Sequence, residues 1–277
     1  MAGLPAKLTR FAPAALGQAP HTKSVGRVIF ANMKKRLVIA NWKMYIESPE
    51  EAKKFISILK RKAASYEGVD AWVAPPFTIL PALKGVKLGG QAVSANIGAH
   101  TGEVSADMLK EAGASFVLVG HSERRAAGDT NEDAHAQLAA AANAGLAPVL
   151  CVGEQERTPD GAHFNFIQEQ LIAALRGAQS LASKLVVAYE PLWAIGKTAH
   201  DAMQPGEVEE TVIFIRKTLA DILGRKDALK VPILYGGSVE PENAAKLIAD
   251  GGVNGFLVGH ASADIDSFVE ILKACRK

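Results

Sequence analysis

From Arg36 onward the chain alternates two patterns, and that alternation limits its fold more than any other feature. Eight short runs are dense in β-branched and aliphatic residues: LVIANW (37–42), VDAWVAP (69–75), VKLGGQAV (86–93), SFVLVG (115–120), LAPVLCVG (146–153), KLVVAYE (184–190), VPILYGG (231–237) and VNGFLVG (253–259). Their starts lie roughly 30 residues apart, with wider gaps after the fifth and sixth. The segments between them have helical spacing. Residues 48–64 open on Ser48, with Pro49 in the first turn and Glu50 and Glu51 near the positive end of a helix. Thr130, with Asp133 three residues on, is an acidic variant of the capping box. Pro205 opens an apolar-periodic segment to about Leu223, and 240–250 and 263–275 complete the set.

Near-continuous apolar strands are buried on both faces, which predicts a parallel sheet covered by helices. Eight strand–helix units in about 243 residues predict an α/β fold, a single closed (β/α)8 barrel of eight parallel strands with outer helices, over residues 35–277. An open doubly wound sheet is the competing arrangement. It carries a glycine-rich phosphate turn after its first strand, whereas this first strand ends Asn41-Trp42-Lys43.

Composition narrows the function classes. Hydrophobic residues make up 48% and aromatic ones only 6%, so aliphatic side chains must fill the core. No stretch approaches the ~18 uninterrupted apolar residues of a membrane span. Lys plus Arg is 31 against 29 for Asp plus Glu, too balanced for a nucleic-acid binder. Residues 1–34 hold Lys7, Arg10, Lys23, Arg27 and Lys34 and no acid, so the remainder carries 26 basic and 29 acidic residues. This basic stretch is expected to be a disordered extension to a cytoplasmic protein. An organelle transit peptide is the alternative, and Met33-Lys34-Lys35-Arg36 also reads as a second start. Cys151 and Cys275 are expected to be buried, unpaired thiols.

In a barrel of this kind the active site lies at the carboxyl ends of the strands. Those ends present Asn41 and Lys43, Gln91, His121-Ser122-Glu123, Cys151 and Glu154, Glu190, Gly236-Gly237-Ser238, and Gly259-His260. Glycine lets backbone N–H groups approach a ligand closely, so two glycine turns on the last strands favour phosphate over plain turns. Amides of Ser122 and Glu123 aimed at His121 would disfavour its protonated form. A neutral imidazole can donate to a carbonyl; the alternative is a structural histidine. Pro191 holds Glu190 extended, which aims a carboxylate suited to general-base work off the strand end. A satisfied buried acid is the alternative there. Lys43 reads equally as a balancing cation or a surface lysine.

ANWKM (40–44), GHSERR (120–125), CVGE (151–154), AYEPLWAIG (188–196), YGGSV (235–239) and GFLVG (255–259) together resemble the triosephosphate isomerase family. The match covers essentially all of 35–277, in the right order. The resemblance implies a TIM barrel that interconverts dihydroxyacetone phosphate and glyceraldehyde 3-phosphate without a cofactor or metal. By motif position it makes Glu190 the base, neutral His121 the polarising donor, Lys43 the stabiliser of the enediolate and Asn41 an orienting group. This family is the standard illustration of a glutamate base paired with a neutral histidine. The resemblance also places Glu123 beside Lys43, and backbone N–H groups of Gly196, Ser238, Gly259 and His260 on the phosphate. It further implies a homodimer, with Thr101 of AHTGE (99–103) near the neighbour's site.

Two departures stand out. The family's usual lid reads AIGTGKTA, and here AIGKTA (194–199) has two residues fewer. A shorter lid is expected to close imperfectly, lowering turnover and letting phosphate escape by elimination, or to leave a barrel of reduced activity that mainly binds phosphate. The second is His260, where the family usually has glycine. Its imidazole is an extra donor to phosphate, an obstruction to the backbone, or a side chain turned to solvent. A Schiff-base aldolase needs a lysine on a late strand, and the sixth strand ends in Glu190 instead. Residues 129–140 begin like a calcium loop but place Ala134 and Ala140 where glycine and glutamate are required.

Overall fold

The structure, a computed structural model, describes residues 35–197 and 202–276. The expectations for residues 1–34, and for the lid beyond Lys197, therefore lie outside the described residues.

Eight strands follow the eight apolar runs: β1 (Arg36–Asn41), β2 (Val69–Ala74), β3 (Lys87–Gly90), β4 (Phe116–Val119), β5 (Ala147–Val152), β6 (Val186–Tyr189), β7 (Ile233–Tyr235) and β8 (Gly255–Val258). They pair in chain order into a closed barrel, all parallel, and β1 joins β8 from Leu37↔Gly255 to Ala40↔Val258. The predicted (β/α)8 barrel is what forms, and the open sheet is excluded by that last pairing.

Strand alternation divides the apolar residues between two cores. Leu37, Ile39, Phe116, Leu118, Val149, Cys151, Val186, Ala188, Leu234 and Leu257 fill the barrel interior. Their neighbours Val38, Ala40, Val117, Val119, Leu150 and Val187 pack outward against the helices. Apart from the amino-terminal ends of β2 and β3, both faces of the strands are dry, which is why the runs show little polar alternation.

The helices start where their caps said they would. The helix Pro49–Ala63 is capped by Ser48, whose Oγ accepts from Glu50 and Glu51 at 3.2 and 3.4 Å. The Thr130–Asp133 box closes reciprocally ahead of the helix Asn131–Asn143. Helices Pro205–Leu223, Pro241–Asp250 and Ile265–Ala274 begin within a residue or two of the predicted starts. Cys151 and Cys275 are buried and unpaired. Burial pushes the Cys151 thiol well above its ordinary range, aided by nearby Glu190, so it stays an inert, protonated filler. Among the described residues no helix is long and apolar enough to cross a membrane.

Candidate active site

The inward parity of the strands runs straight into the site. On β1 the inward positions 37 and 39 are followed by Asn41, and on β6 positions 186 and 188 are followed by Glu190. Asn41 is 4% exposed, Glu190 3% and His121 7%. His121 is off-parity with inward Phe116 and Leu118. Gly120, at φ 67°, turns the chain over the rim in a conformation that side-chain-bearing residues avoid. A cavity of ≈160 Å³ opens at this end. It is lined by Asn41, Lys43, His121, Glu190, Gly196, Ser238, Gly259 and His260, with Tyr45, Ser122 and Glu240 among the others.

The imidazole and the carboxylate meet directly, His121 Nε2 lying 3.2 Å from Glu190 Oε1. The Glu123 backbone N–H donates to His121 Nδ1 at 3.2 Å. A nitrogen that accepts carries no proton, so the neutral ring keeps its hydrogen on Nε2. That hydrogen goes to Glu190. The Asn41 Nδ2 is also 3.2 Å from Nε2, but two donors cannot bond each other, so the amide is left facing the cavity. The Ser122 amide does not aim at the ring as predicted. It donates to Glu190 Oε2 at 2.9 Å, because the helical turn that begins there swings it toward β6. The carboxylate is thus held by two donors from one turn. Gly153 makes this approach possible, since a Cβ there would lie 1.8 Å from the Glu190 carbonyl oxygen.

Lys43 Nζ sits 2.5 Å from Glu123 Oε1. Its backbone is left-handed, at φ 45°, a conformation that costs a residue with a Cβ about 1–2 kcal/mol. Gln91 holds it there by donating Nε2 to the Lys43 carbonyl at 2.8 Å and to Ala74 O at 2.9 Å. Sequence reading noticed Gln91 at a strand end but gave it no task; only the backbone conformation of Lys43 reveals one.

Two other strand-end residues lie outside the cavity. Cys151 is inside the barrel. Glu154 is buried, and its Oε1 accepts from Tyr189 Oη at 2.9 Å, Trp193 Nε1 at 3.0 Å and Arg157 at 3.3 Å. Trp193 directly precedes residues 194–197, so this carboxylate fixes the start of that loop. Burial and Glu154 together push the Tyr189 phenol well up, which keeps it a donor. Thr101 stands apart from the cavity on an exposed loop. Tyr45 and Glu240 line the cavity without a sequence signal. Tyr45 follows the strand by several residues, and Glu240 reads as the start of a helix.

Fold and cavity define a (β/α)8-barrel protein with a buried carboxylate–imidazole pair and a bed of glycine turns at its carboxyl rim. Comparison with known proteins gives the family. The model of the triosephosphate isomerase family matches residues 36–275. A protein of Alkalilimnicola ehrlichii named triosephosphate isomerase is 42% identical over 256 residues, covering 88% of this chain and all (100%) of that one. One of Carboxydothermus hydrogenoformans with the same name is 42% identical over 87% of this chain and 99% of its own. Another from Aquifex aeolicus is 40% identical over 86% and 98%. The chain belongs to the triosephosphate isomerase family and is an isomerase.

Proposed function

We propose that this chain interconverts dihydroxyacetone phosphate and D-glyceraldehyde 3-phosphate through an enediolate. The observation that carries the reading is the 3.2 Å contact between Glu190 and a neutral His121 inside the cavity. Glu190 leaves its two donors and takes a proton from the carbon beside the carbonyl. The electron pair moves onto the carbonyl oxygen, where His121 Nε2–H donates. His121 passes that proton to the oxygen and takes one from the neighbouring hydroxyl, and Glu190 returns its proton to the former carbonyl carbon, so that carbonyl and hydroxyl have changed places. Lys43 stabilises the negative charge as it develops, and Asn41 orients the substrate through the amide that faces the cavity. Glu123 positions the Lys43 ammonium. Backbone N–H groups of Gly196, Ser238, Gly259 and His260 hold the phosphate.

The same reading makes residues 35–277 one catalytic domain, with residues 1–34 appended. It makes the working form a homodimer. Met44 and Ile97, 80% and 83% exposed, are apolar side chains of the kind a second copy covers, and Thr101 lies on the loop with Ile97. Two buried free thiols suit a reducing, cytoplasmic setting.

A coupled assay on glyceraldehyde 3-phosphate tests the proposal. Glu190→Gln keeps an acceptor for the Ser122 amide, so the fold is retained, while kcat falls about 10²–10⁴-fold. A variant that turns over like the parent overturns the assignment.

A further inference from the structure

The charges that line the cavity are poorly matched to an anion. Among its described lining residues Glu190 and Glu240 are carboxylates, Lys43 is the cation, and His121, tied to Glu190, and His260 are the imidazoles. The charge of Lys43 is partly offset by Glu123 at 2.5 Å. A phosphate entering beside Gly237, Ser238 and Gly259 therefore meets backbone donors and, close by, the carboxyl of Glu240.

Two features of that end respond to protons. The His260 ring stands edge-on to Tyr45, with centroids 5.5 Å apart and planes at 87°. This contact holds the imidazole at the cavity rim. Burial raises the Glu240 carboxyl above its ordinary range, with Glu242 adding to the rise and His260 opposing it. Glu240 sits at the cap of the helix Pro241–Asp250, its backbone N–H fixed on Asn243 at 2.9 Å, so it is not free to leave.

We propose that His260 and Glu240 form a proton-responsive clamp on the phosphate end, so that anion affinity rises as the two groups gain protons. The proposal rests on the triose phosphate reading and names its regulation. An imidazole changes charge in roughly the pH 5–8 window. From the loop after β1, the Lys43 ammonium faces this end; a Cβ on Gly259, the residue before His260, would lie 3.9 Å from its Nζ. From the loop after β7, Glu240 favours protonation. Tyr45 is neutral, and Asp264 follows on the histidine's own segment. The protonated imidazole offsets the negative charge of Glu240, and a protonated Glu240 becomes a donor to a phosphate oxygen. Both changes act in one direction.

Sulfate is the probe, because it stays dianionic across the range and carries no titration of its own. Its competitive inhibition constant is measured at pH 5.5, 7.0 and 8.5 in the full chain, in His260→Asn and in Glu240→Gln. The parent constant is expected to rise about tenfold from the lowest to the highest pH, a difference of about 1.4 kcal/mol. His260→Asn should flatten that slope to about twofold. Glu240→Gln should tighten sulfate about threefold at pH 8.5 by removing a like charge. An unchanged slope in His260→Asn, or a flat parent, overturns the clamp; an unchanged constant at pH 8.5 in Glu240→Gln overturns the carboxylate's part. A parent inactive on triose phosphate would instead overturn the function. The sulfate slope would still be read from the rise in Tm with added sulfate.

Discussion

The two ends of the barrel each bury charge, and they handle it in opposite ways. At the carboxyl end Glu190 pairs with His121 and Lys43 with Glu123, and the first three line a cavity where a ligand can displace a partner. At the amino end no carboxylate among the described residues pairs with Arg216. Its guanidinium donates to the carbonyls of Ala228 and Val231, both at 2.5 Å, and to Asn254 Oδ1 at 3.2 Å. Burial pushes its pKa down to about 10, which still leaves it charged at neutral pH. One end keeps charge available, and the other uses it as a fixed bracket between the close of the helix Pro205–Leu223 and the start of β7. Pairs beside a cavity can rearrange around a ligand, whereas a cation held by carbonyls braces the barrel.

Arg216→Met is the strongest test of that division. It removes three charge-assisted hydrogen bonds; Ala228 O keeps the Val231 N–H and Asn254 Oδ1 keeps the Ile233 N–H, so Val231 O loses most, and urea unfolding should show a loss of about 3 kcal/mol. The kcat per folded molecule should be unchanged. A rate defect larger than the folding defect would show that the two ends are coupled.

Gln91→Leu carries the comparison to the reactive end. Its amide satisfies two carbonyls and pins the left-handed Lys43. With the pin removed, the ammonium drifts and kcat should fall roughly tenfold. KM should change little, and Gln91→Asn, a shorter amide, should recover only part of the rate. A variant whose sole defect is stability would reduce Gln91 to a structural bracket like Arg216.

Asn254→Asp asks whether the amino end would accept a carboxylate. Arg216 is already buried and charged, so only the new acid's desolvation is added. Stability at pH 7 should rise by about 1 kcal/mol in urea unfolding. The new carboxyl would titrate below its unfolded value of about 4. Its gain is therefore complete above that value and is lost as pH falls through the folded one. A loss of stability at pH 7 would mean that carbonyls alone suit this guanidinium better.

The same contrast explains what was legible in the sequence. The barrel was, because eight dry runs and their helix caps are local signals. Asn41 and Glu190 were, because inward parity continues past the strand ends. The Ser122 amide was misread, since its direction depends on how a turn after β4 meets β6, a contact between residues 68 positions apart. The tasks of Gln91 and Arg216 were invisible for the same reason: both act on backbone groups, which leave no mark in side-chain pattern. Glu240 was hidden by a correct reading, because a helix cap can also stand at a cavity rim.

The smallest effect belongs to a site far from either end in chemistry. Thr130 and Asp133 satisfy each other reciprocally, the Thr130 N–H donating to Asp133 Oδ2 at 2.8 Å and the Asp133 N–H to Thr130 Oγ1 at 3.1 Å. The Thr130 N–H first, and then the Thr130 hydroxyl at 2.7 Å, donate to the Asp133 carboxyl and hold it below its ordinary range. Both residues are exposed, so Thr130→Ala should cost only about 0.5–1 kcal/mol, at the low end for a cap. For a chain of this size that is a fall in Tm of about 1–3 °C. The carboxylate's share of the stability is present above its unfolded pKa and is lost as pH falls through the lower folded value. The Tm gap between parent and variant should therefore narrow below about pH 4. A gap that stays constant into acid would assign the whole effect to the lost threonine acceptor, with the Asp133 charge contributing nothing.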